Sequence, residues 1–113
     1  MQFTFVTFNY ASGNLEAEER NYLEHHVGLA KTLPGLRLYY TGKLTEVRGQ
    51  KPDRFRAAIL AFEIADAAGK AFQAPAGPAL VADTQAHLKD LRSLSFEGEV
   101  IVPGPFRRPD IVS

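Results

Sequence analysis

The sequence contains no cysteine, which excludes disulfides and thiolate metal sites. Nor is either charge in excess: 13 Lys and Arg offset 13 Asp and Glu, an argument against a nucleic acid partner. No apolar run approaches a membrane span, so no membrane partner is expected. The opening MQFTFVTFNY has no basic lead and no small-residue cleavage site, and a cytoplasmic location is expected. Internal repeats and low-complexity segments are absent. No His-x-x-x-His or carboxylate-rich spacing occurs, so no metal is expected, and the histidine count alone does not establish a haem ligand, so no cofactor is expected. What is present is 113 residues, 45% of them hydrophobic, enough for one globular domain with its own core.

The most informative stretch runs from Asn14 to Tyr40. Asn14 can cap a helix, and Glu16, Glu18 and Glu19 place negative charge where the first turn favours it. At helical spacing Tyr22, Leu23, His26, Val27 and Ala30 form one stripe, an apolar face interrupted by a polar ring. Pro34 and Gly35 end the helix and release the chain into a strand.

Around it the pattern gives strand, helix, strand, strand, helix, strand. Gln2 to Tyr10 is apolar on both faces, and so is Phe55 to Ile64. Leu36, Leu38, Tyr40 and Leu44 alternate with polar residues, as in an edge strand. Residues 46 to 54 form a polar loop. Asp66 caps a short helix to about Phe72, the sequence from Pro78 to Arg92 reads as a second main helix, and Ser95 to Val102 as the last strand. Residues 1–102 make the domain and 103–113 an extended, proline-rich tail, in which Arg107 and Arg108 either clamp a neighbouring protomer or are solvated.

This order defines an α+β chain of the ferredoxin-like βαββαβ type: a four-stranded antiparallel sheet, strands one and three central, with two helices on one face. The helices cover one side only. The other apolar side calls for burial against a second copy, a homodimer through the sheet faces forming a dimeric α+β barrel.

The segments YLEHH (Tyr22 to His26), LPGLRLYY (Leu33 to Tyr40), Asp83 and EGEVIV (Glu97 to Val102), spread over nearly the whole chain, resemble the EthD-like family of dimeric α+β barrel proteins. His26 takes the family's histidine position. Gly28 stands where proline is frequent, and His87 or Leu88 where an aromatic follows the aspartate. The resemblance implies a small protein of a catabolic or natural-product pathway. The wider superfamily includes cofactor-independent monooxygenases, lactone isomerases, polyketide cyclases and haem enzymes, and most EthD-like members have no assigned reaction. Function must be argued from the site.

His26 is the leading catalytic candidate, since an imidazole in an apolar wall can take or give a proton near neutral pH. The plainer alternative is a core ring hydrogen-bonded to Tyr40 or a backbone carbonyl. Tyr22, Tyr40, Phe62 and His87 are the candidate substrate contacts. His25 points to the helix flank, and Asp83 reads first as a stabiliser of its own helix. The expected function is binding of a small, largely apolar organic molecule, with His26 as general acid or base if the protein is an enzyme. Alternatives are a non-catalytic carrier or accessory protein of a degradation pathway, or a purely structural dimer without a cavity.

Overall fold

The computed structural model describes residues 1–104. Strand β1 (Gln2–Tyr10) leads into a helix of three pieces: α1 (Leu15–Arg20), a π-helical segment (Asn21–His26) and α2 (Val27–Ala30). Then follow β2 (Leu36–Lys43), β3 (Arg56–Phe62), α3 (Ala65–Ala71), α4 (Ala76–His87) and β4 (Leu88–Glu97). The sheet order is β2-β3-β1-β4, all pairs antiparallel, so the two strands that are apolar on both faces are central, as the patterning requires. Asn14 caps the first helix by accepting from the Ala17 amide, and Gly35 makes the exit at φ 80.

Two departures from strict alternation matter. On β2 the pairing jumps from Leu36–Phe62 to Leu38–Ala61, leaving Arg37 as an extra residue. Leu36 and Tyr39, three apart, therefore share the helix-facing side, and Tyr40 turns to the opposite side with 61% of its surface exposed. On β4, Asp90 and Leu91 stand opposite the single Phe8, with Asp90 at φ 53. Asn9 donates to the Asp90 carboxylate at 3.1 Å and Arg54 to its carbonyl at 2.6 Å, which holds this bulge in place.

The expected last elements are corrected accordingly. The helix ends at His87 rather than Arg92, and the strand begins at Leu88 rather than Ser95 and ends at Glu97. Leu88 and Leu91 suggest a helical stripe, yet it is the bulge that brings residues three apart onto one face of a strand. Asp66 does not cap α3, whose cap is Ile64; it lies in the first turn and pairs with Lys70 at 3.0 Å. Arg107, Arg108 and most of the tail lie outside the described residues.

The helix-facing side carries two core clusters, Ala30–Leu33–Phe62–Ala71–Leu80 and Phe8–Tyr10–Tyr22. Among the described residues no helix lies over the far side, where Tyr40, Leu94 and Phe96 are exposed and Phe3 stacks on Phe96 at 5.1 Å.

Candidate functional site

Between the two clusters lies a cavity of about 410 Å³. The sheet contributes Val6, Phe8, Leu60, Phe62, Tyr39, Leu88 and Leu91, the first helix Tyr22, His26 and Ala30, and α3 and α4 Ala68, Leu80 and Thr84. Such a volume, with apolar walls and few polar groups, is the usual form of a small-molecule site.

The π-helical segment positions its polar side. The Val27 amide bonds the Tyr22 carbonyl five residues back, the wider turn that recurs at functional sites. Tyr22 and His26 stack at 5.0 Å with their planes 17° apart. His26 Nδ1 lies 2.8 Å from Asp83 Oδ2 on α4, and Asn21 Nδ2 donates to Asp83 Oδ1 at 3.0 Å. Burial pushes the Asp83 carboxyl upward, but the hydrogen bonds from Asn21 and His26 outweigh it and hold it below its ordinary value. An ionised carboxylate only accepts, so Nδ1 carries the proton and, in the neutral ring, Nε2 keeps its lone pair. His26 lines the cavity and Asp83 does not, and the Asp83 bond occupies Nδ1 alone.

Behind the stack lies a second network. Arg56, 5% exposed, grips Glu19 through Nε at 2.9 Å and Nη2 at 2.7 Å. The Tyr10 hydroxyl also donates to Glu19. These bonds, Arg56 foremost and against the opposing effect of burial, hold the Glu19 carboxyl below its usual value. Arg56 Nη1 donates to Thr41 Oγ1 at 3.1 Å, Thr41 contacts the Tyr22 hydroxyl at 3.3 Å, and the Tyr22 and Tyr39 hydroxyls meet at 2.8 Å. The guanidinium lies over the Tyr22 ring at 5.1 Å.

Of the candidates read from the sequence, Tyr22, His26 and Phe62 line the cavity. Tyr40 does not: the β2 bulge puts it on the other side of the sheet, and Tyr39 takes the inward place. Nor does His87, which closes α4 and sits 3.0 Å from Glu18 of the first helix. Asp83, read from the sequence as a stabiliser of its own helix, also bonds His26 and Asn21 of the first helix. His25 is exposed, 3.8 Å from Asp83. Asn21, Tyr39, Thr41 and Arg56 are not among the candidates the sequence offers, and Glu19 stands out there only as a first-turn acid; the doubled tyrosine at 39 and 40 is the one further signal. Among the described residues, no group of three or more His, Asp or Glu is arranged to hold a metal ion.

No protein-family model matches the chain. No curated protein matches it in sequence. Solved structures match it in fold. An EthD family protein from Bacillus halodurans aligns with TM-score 0.71 at 16% identity, over 87% of this chain and 99% of that one. A dimeric ferredoxin-like protein of unknown function from Thermobifida fusca gives 0.68 at 15%, over 84% and 88%. SnoaB, a cofactor-independent oxygenase from Streptomyces nogalater, gives 0.61 at 19%, over 90% and 97%. The chain has the ferredoxin-like α+β fold of these proteins. At such identities the likeness establishes the fold, and the chemistry rests on the side chains above. Among the described residues, no helix is long and apolar enough to cross a membrane.

Proposed function

We propose that the protein binds a small, predominantly apolar organic molecule in the cavity between helices and sheet, and that His26 serves there as general base in cofactor-independent proton transfer. The observation that carries this is the pairing of a cavity-lining His26 with a buried, ionised Asp83 at 2.8 Å. Asp83 fixes the ring and stabilises the imidazolium formed when Nε2 takes a proton. Phe62 and Tyr22 pack against the ligand. SnoaB, a cofactor-independent oxygenase of the same fold, supports the enzymatic side of the proposal.

The working unit is a homodimer joined through the outer sheet faces. Exposed Tyr40, Leu94 and Phe96 on that face and the dimeric description of the Thermobifida fusca protein support it.

The test is a panel of small apolar compounds carrying an acidic C–H or O–H, screened by thermal shift and then followed by NMR for proton exchange in D2O. Exchange by wild-type protein that disappears in His26→Ala, with binding and the dimer intact, is the expected result. Exchange that survives the substitution removes His26 from the mechanism, and binding without exchange identifies a carrier.

A further inference from the structure

The hydroxyls of Tyr22 and Tyr39 present a donor that their own contacts do not use. We infer that this pair is an oxygen-recognition element, and that the ligand is an apolar compound bearing a carbonyl oxygen. The inference rests on the cavity being the ligand site.

It follows from counting hydrogens. Arg56 has donors only, so its Nη1 donates to Thr41 Oγ1. The single Thr41 hydrogen is directed to the Ala57 carbonyl at 2.9 Å and, at 3.3 Å, to the Tyr22 oxygen. Donation therefore runs from the guanidinium towards Tyr22. Tyr22 and Tyr39 share one contact and own two hydroxyl hydrogens, and either oxygen can be the donor across it. Whichever one donates, a hydrogen is left over in a pair that lines a mostly apolar cavity. Burial, with the Tyr22 hydroxyl next in effect, holds the Tyr39 phenol above its ordinary value, so it keeps its proton and acts as a neutral donor. The cation 5.1 Å from the Tyr22 ring favours negative charge on an oxygen bound there.

His26 stacks on Tyr22, so base and donor sit side by side. When Nε2 removes a proton from the carbon next to the carbonyl, the C–H bond breaks and an N–H bond forms. The electron pair delocalises onto the carbonyl oxygen, where the hydroxyl pair receives it. The proton stays on the imidazole until it returns to the ligand or passes to water. No oxidant or reductant is needed.

The test compares acetophenone with isopropylbenzene, similar in shape but without the acceptor, in wild type, Tyr22→Phe, Tyr39→Phe and the double variant. Both compounds should bind wild type, and the carbonyl stretch of bound acetophenone should move to lower wavenumber. Each single variant leaves one hydroxyl and keeps part of the shift. The double variant should lose it and bind acetophenone roughly three- to tenfold more weakly, with isopropylbenzene unchanged. Binding of both compounds by wild type with no shift, or a shift that persists in the double variant, overturns the inference and leaves the cavity reading standing. If neither compound binds wild type, both fall.

Discussion

At the scale of single residues, the site depends on charges held in place by partners on other elements. Asp83 links the first helix to α4 through Asn21 and His26. Its folded carboxyl lies below 3.8, so its contribution to stability is complete above that value and is lost as pH falls through the depressed folded value. Acid unfolding followed by circular dichroism should therefore be steeper below pH 3.8 in wild type than in Asp83→Asn, while Glu19, depressed in both, contributes equally. The Arg56–Glu19 pair is a second case, with side chains 6% and 17% exposed. Arg56→Met leaves Glu19 without its bidentate partner and should cost about 3–5 kcal/mol in urea denaturation.

At the scale of elements, the first helix brings both Tyr22 and His26 to the cavity wall. Its π-helical segment carries Asn21, Tyr22, His25 and His26 within six residues. Deleting exposed Glu24 should restore α-helical bonding and turn His26 by about 100° relative to Tyr22. The expected outcome is unchanged helix content by circular dichroism and loss of the hydrogen-bonded imidazole N–H resonance in NMR. The start of α4 is equally constrained. A Cβ on Gly77 would lie 1.9 Å from the Phe72 carbonyl oxygen, a backbone atom that no rotamer change can move. Alanine in a helix would normally gain roughly 1 kcal/mol over glycine. Here the clash wins, and Gly77→Ala should destabilise by about 1–3 kcal/mol in thermal unfolding.

At the scale of the whole molecule, the sheet has helices on one side and exposed aromatic and aliphatic side chains on the other. Placing a charge there, as in Leu94→Asp, should convert the proposed dimer to monomer in analytical ultracentrifugation while the cavity side of each chain stays folded. A variant that remains dimeric would move the interface elsewhere.

Much of this architecture was legible in the linear pattern. Two strands apolar front and back must be central in a sheet, a capped helix with its Pro-Gly exit must turn back into the next strand, and a polar ring on an apolar stripe singled out His26. Those features depend on near neighbours, whose spacing is local information. The two bulges were not legible, because an extra residue in a strand makes side chains three apart share a face, the same signature a helix leaves. Strict alternation therefore points to Tyr40 in place of Tyr39, and helical spacing extends the last helix to Arg92. The partnerships of His26 with Asp83, and of Arg56 with Glu19, join residues 57 and 37 positions apart. Only the packing of the helices on the sheet decides such pairs, since the free energy of burying a charge selects a partner by proximity in space and not along the chain.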